Sequence, residues 1–105
     1  FDDLREHDAA DNVTLFMFTE FGRRISDNGS GTDHGASGVA FAIGDHVKGG
    51  IYGDYPSLEP SQHEEGGNLK SSTDFRQVYT SILEDWLKLE ASPIIGGKFD
   101  PVKFL

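Results

Sequence analysis

An α/β fold is predicted by three features of the sequence. Two short apolar runs, Val13–Phe18 (VTLFMF) and Gly38–Ile43 (GVAFAI), read as strands. Long Gly-rich connections link them to each other and to the C-terminal half. One later segment, Asp74–Leu89, carries apolar residues at helical spacing.

In the first run Val13, Leu15 and Met17 face one way, and Phe16 and Phe18 face the other with Thr14. Both faces are largely apolar, which suits a strand buried by helices on two sides. Thr19–Asp33 then gathers Gly22, Asp27, Asn28, Gly29 and Gly31 and reads as a long loop. Loops of about 12–15 residues without regular structure are uncommon and tend to be functional. The second run is bounded by Gly44 and again suits a buried strand. The two strands are expected to be parallel neighbours in a larger sheet. Val47–Tyr55 holds three glycines and reads as a turn with a short extended piece at Ile51–Tyr52. Pro56–Ser72 is polar and reads as a surface excursion.

The helix over Asp74–Leu89 places Phe75, Val78, Tyr79, Ile82, Leu83, Trp86 and Leu87 on one stripe, so Tyr79 and Trp86 read as core. Thr73 is the expected N-cap, and Asp74 favours the positive dipole end. Pro93 stops any continuation, and the tail with Ile94, Ile95, Phe99, Val102, Phe104 and Leu105 is expected to pack as coil.

Composition narrows the function. The 105 residues carry 18 acidic and nine basic side chains, for a net charge of −9. Such a surface repels phosphate backbones and anionic lipid, so neither a nucleic acid nor membrane insertion is expected. No apolar run approaches the roughly 18 residues a membrane span needs. With no cysteine, a disulfide framework, a thiolate metal site and a Cys nucleophile are excluded. The chain opens on Phe1 without a signal peptide and reads as a single partial domain over residues 1–105, the C-terminal piece of a longer protein.

Three clusters can carry chemistry. Glu20-Phe21-Gly22-Arg23-Arg24 comes after the first strand, Gly31-Thr32-Asp33-His34-Gly35 precedes the second, and Asp45-His46 comes after it. In open α/β sheets ligands bind beyond the carboxyl ends of the strands, where Glu20, Arg23 and Arg24 lie here. An Asp-His pair can offer an oxygen and a nitrogen to one divalent metal, and Glu20 can add a carboxylate. Arg23 can fork onto the oxygens of an anionic ester. Glu20 with Arg23 or Arg24 can equally form an exposed ion pair. Asp45-His46 reads as a surface turn, and His7 and His63 read as solvent-exposed.

The run TLFMFTEFGRR, NGSGTDHG, GVAFAIGDHVKGGIYGDYP, STDFRQVY and ILEDWLKL resembles, over residues 13–89, the C-terminal part of a bacterial family. That family is the exported proteins grouped as domain of unknown function 1501, whose members resemble a divergent branch of the alkaline phosphatase and sulfatase superfamily. The closing FDPVKFL is similar to the family's end. The resemblance implies the C-terminal portion of an alkaline-phosphatase-like α/β/α sandwich. It implies a periplasmic or envelope location, a divalent metal (zinc, manganese or calcium), and hydrolysis of a small phosphate or sulfate ester. Two registers of the superfamily's pattern are open. In one, Asp33 and His34 form its Asp-His pair. In the other, which we prefer, Glu20-Phe21 stands at the strand end and His34 is the later lone His, because GVAFAI, KGG and Thr73-Asp74 come after it in the expected order. His34 is a metal ligand in both. Asp33 is a ligand in one and supports the ligand in the other. Phe21 cannot ligate, so in that register one metal position is absent or altered. No segment resembles the superfamily's nucleophile motif, so the chain alone is expected to be inactive. The alternative is a non-catalytic envelope binding protein that recognises an anionic glycan or partner. An unpaired strand edge further predicts self-association of the fragment.

Overall fold

The computed structural model describes residues 1–105 and is mixed α/β, with small sheets and few helices. The strands are β1 (Leu15–Met17), β2 (Gly22–Asp27), β3 (Thr32–Gly35) and β4 (Phe41–Ile43). The helices are α1 (Asp2–Glu6), α2 (Phe75–Ser81) and α3 (Ser92–Ile95). The strands form two separate two-stranded sheets, β1 with β4 and β2 with β3. The two apolar runs are therefore strand neighbours, but of three residues each and in no larger sheet. They are not buried on both faces: Met17 is 50% and Phe41 59% exposed.

By contact the chain divides into two compact units. The first comprises Phe1–Leu15, Ile43–Gly53 and Thr73–Leu105, the second Phe16–Ala42 and Asp54–Ser72.

In the first unit the core is Ala10, Ala91 and Phe104, with Thr80 and Ser81. α1 opens on Asp2 and Asp3 and carries Arg5 in its last turn, an order that suits the helix dipole. Arg5 reaches Asp45 Oδ1 through Nη2 at 2.6 Å and holds the Asp45 carboxyl below its ordinary range. Lys48 N donates to Phe104 O at 2.8 Å and Lys48 Nζ to Leu105 O at 2.6 Å, which ties down the chain end. No strand forms at Ile51–Tyr52; Tyr52 instead donates its hydroxyl to Lys48 O and meets the Phe104 ring edge-on.

The long helix differs from its expectation in three ways. Its N-cap is Asp74, not Thr73. Asp74 Oδ1 accepts from Arg76 N at 2.9 Å, while Gln77 Oε1 accepts from Asp74 N at 3.2 Å, a reciprocal capping box. The α-helix then stops at Ser81, and residues Ile82–Trp86 form a π turn, with Leu87 N donating to Ile82 O. At the junction the Thr80 hydroxyl donates back to Arg76 O at 2.9 Å, while the Ser81 hydroxyl, with one proton to give, lies 2.6 Å from Val102 O and 3.1 Å from Gln77 O. Finally, the buried residues of α2 are these two polar ones, at 2% and 0% exposure, whereas Phe75 on the apolar stripe is exposed. Lys88, at φ 57, ends the segment in the left-handed region. The tail is not wholly coil: α3 forms within it and ends on Gly96 at φ 75.

In the second unit the segment expected to be a loop, Thr19–Asp33, instead builds most of an antiparallel hairpin. Its partners are Gly22 with Gly35, Arg23 with His34 and Asp27 with Thr32. Arg24, Ile25 and Ser26 thus stand opposite Asp33 alone, a bulge that locally bends β2. The glycine pair lets backbones close in: a Cβ on Gly22 would lie 1.3 Å from Ser37 O, and one on Gly35 2.9 Å from Arg23 C. The 56–72 excursion carries two 3-10 turns and is pinned to the end of the hairpin. Asn68 Oδ1 accepts from Ala36 N, and Ser37 Oγ donates to Leu69 O. His63 is half-buried there rather than exposed.

Candidate functional site

The hairpin of the second unit carries three sequence-predicted site residues, Arg23 on β2 and Asp33 and His34 on β3. Arg23 on β2 pairs directly with His34 on β3, so cross-strand geometry puts the two side chains on one face. Phe21, two residues before Arg23, shares that face. Its ring stacks on the His34 imidazole with centroids 3.5 Å apart and planes 13° from parallel. The Arg23 guanidinium lies over the same ring, with Cζ 5.2 Å from the centroid. A Phe21 ring thus serves as the platform for both polar groups. Arg23 Nη1 donates to Thr32 O at 2.6 Å, which fixes the guanidinium's direction. Beside it an open depression of about 640 Å³ is lined by Arg23, Asn28, Thr32, Asp33, His34 and the turn between them.

The charges of this site are unusual for so acidic a chain. Arg5 and Arg76 each pair with carboxylates. Neither Arg23 nor Arg24 has a carboxylate within 4.0 Å, so the ion pair to Glu20 does not form. Arg23 is exposed, whereas Arg24 is half-buried with its guanidinium against Gly66. Neither ring nitrogen of His34 is hydrogen-bonded to the protein. The Phe21 stack covers the imidazole's face, while its ring nitrogens lie at the ring edge of an exposed side chain.

The metal set does not assemble within this chain. Glu20 is exposed just before β2, and Asp33 receives Asn28 Nδ2 at 2.7 Å. Asp33 and His34 are successive strand residues, whose side chains leave opposite faces. No group of three or more His, Asp or Glu side chains is placed to hold an ion. The other Asp-His pair, Asp45-His46, belongs to the first unit, and both side chains are bonded to other residues there. Asp45 binds Arg5, and His46 Nε2 lies 2.7 Å from Asp11 Oδ1.

Comparison with known families fits the motifs that surround this hairpin. A family model described as a protein of unknown function (DUF1501) matches residues 1–89. The chain belongs to that family. The match takes in the EFGR, GTDHG and KGGIYG segments together. No curated protein and no solved structure matches the chain. No helix of this family member is long and apolar enough to cross a membrane.

The sequence reading missed Phe21 as a platform and Asn28 and Thr32 as lining residues. The signal was present in Asn28-Gly29, the strongest short hairpin cue, sitting between GRRISD and GTDHG.

Proposed function

We propose that the hairpin binds the oxygens of a small anionic ester, phosphate or sulfate, as part of a hydrolase-like protein of the envelope with an alkaline-phosphatase-like sandwich fold. The observation that carries this reading is Arg23: an exposed guanidinium with no carboxylate partner, aimed by Thr32 O and stacked on Phe21 beside His34. A planar guanidinium meets two oxygens of such a group at once, which a lysine cannot do. His34 presents a ring nitrogen on the same face and can donate to a third oxygen. Asp33 and Asn28 also line the depression. A divalent metal (zinc, manganese or calcium) would take His34 as its donor from this chain, with Glu20 and Asp33 as further candidates. Since these three do not converge, a metal there would need further donors, and no step of the reading runs through it.

Calorimetric titration with inorganic phosphate and with sulfate tests this reading. The wild-type chain should bind saturably, and Arg23→Lys should weaken binding at least tenfold, about 1.4 kcal/mol. Arg5→Lys, in the other unit, should not change it. Absence of binding, or equal affinity in all three, would overturn the assignment.

A second reading is favoured by Phe21, which occupies a position where the superfamily's pattern places a ligand. In it the fold binds an anionic glycan or partner without turnover. Elemental analysis separates the two. Stoichiometric metal that disappears in His34→Ala supports the hydrolase; metal-free protein that still binds sulfate supports the binder.

A further inference from the structure

The hairpin tip carries a second chemistry that does not depend on the anion reading. The geometry points to Asn28 as a site of self-modification, in which the Asn28–Gly29 step closes to a cyclic imide and opens with water to aspartyl and isoaspartyl products. The chain has three asparagines, and only Asn28 precedes a glycine; Asn12 precedes Val13 and Asn68 precedes Leu69. A residue without a side chain leaves its own amide nitrogen open to the preceding side chain. Gly29 is exposed, at φ 95, and has no atom within 4 Å of where a Cβ would stand.

Three contacts favour the ring closure. Gly29 N–H donates to Asp27 Oδ1 at 2.6 Å, so a carboxylate stands ready to take the proton from the attacking nitrogen. Asn28 Oδ1 accepts from Ser30 N at 3.0 Å and from Ser30 Oγ at 3.2 Å. Two donors therefore point at the oxygen on which negative charge develops. Asn28 Nδ2, the leaving nitrogen, is oriented by Asp33 Oδ1 at 2.7 Å.

The step balances with water as the co-reactant. Asp27 takes the Gly29 amide proton, and the nitrogen bonds to Asn28 Cγ. The tetrahedral oxygen collapses, the Cγ–Nδ2 bond breaks, and Nδ2 takes up the proton and leaves as ammonia. Water then opens the imide. Attack at Cγ gives aspartate, and attack at the main-chain carbonyl gives isoaspartate, with one extra carbon in the turn. Either product adds a carboxylate to the depression that Arg23 lines, between Asp27 and Asp33. Loss of anion affinity on modification rests on the proposed function; the modification itself does not.

The test is peptide mapping by mass spectrometry of the full chain, incubated at mildly alkaline pH, with isoaspartate resolved by fragmentation. Asn28 should convert while Asn12 and Asn68 stay intact. Conversion in the folded chain should exceed that in the same chain held in urea, at least about tenfold. Asp27→Ala and Ser30→Ala should each lose most of that advantage, with amide exchange showing the hairpin still formed. Equal rates folded and in urea, or no effect of either substitution on an intact hairpin, would overturn the proposal. Because the readout is mass, failure of the anion reading leaves this result unaffected.

Discussion

Alanine at Gly22 is the sharpest probe of how the site is built. Its Cβ would fall 1.3 Å from the Ser37 carbonyl oxygen, a covalent distance. A comfortable carbon–oxygen contact is roughly 3.3 Å, so the backbones must part by about 2 Å. No rotamer relieves this, because both partners are fixed to the main chain. Parting them breaks the bonds that tie Ala36 and Ser37 to Asn68 and Leu69, now 3.1 Å and 2.6 Å. Two such bonds are worth about 1 kcal/mol each, and overpacking costs about 1–3 kcal/mol more. The sum, about 3–5 kcal/mol, is a large share of the roughly 5–15 kcal/mol that stabilises a domain. Hydrogen exchange is the assay, read at Arg23 and His34 against amides of α2. Gly22→Ala should strip protection from the hairpin and spare the first unit. Gly49→Ala, with nothing within 4 Å of its Cβ, is the control. Unchanged hairpin protection in Gly22→Ala would refute the close approach and the register built on it.

Two further predictions concern the first unit. Ser81→Ala removes the 2.6 Å bond from a fully buried hydroxyl to Val102 O and should destabilise by about 1–3 kcal/mol in urea unfolding, with the tail becoming sensitive to protease; unchanged stability would show that the tail is held by other contacts. The Arg76 guanidinium and backbone N–H lower the Asp74 carboxyl from 3.8 to about 2. A depressed folded value stabilises above the unfolded value and is lost as acid titrates the folded group, so helix dichroism should fall between about pH 4 and pH 2. Asp74→Asn keeps the cap and should flatten that step; an identical acid transition in the variant would contradict the assignment.

Much of this was legible in the residues, for physical reasons. Helical spacing from Phe75 to Leu87 marks a real helical segment, and the apolar runs mark two real strands. The π turn was hidden because apolar spacing over five residues does not distinguish the wider i→i+5 bonding from an ordinary helical turn. The hairpin was hidden because GRRISD and TDHG lack alternating apolar residues. It is held instead by a glycine pair, a Phe21 stack and turn bonds around Asn28. The family was legible because several short motifs recur together, and its model covers residues 1–89. Arg23 and His34 were recognised one at a time. Their pairing across two strands needs the register.

The central claim is that Arg23 and His34 together face an anionic ligand. The most direct measurement is nuclear magnetic resonance of isotope-labelled chain titrated with phosphate and sulfate at constant ionic strength. Saturable shifts confined to the Arg23 side chain, the His34 ring and Thr32, absent with chloride and lost in Arg23→Lys, are the predicted result. Shifts of equal size at Arg5 or Arg76, or none that saturate at Arg23 and His34, would contradict it.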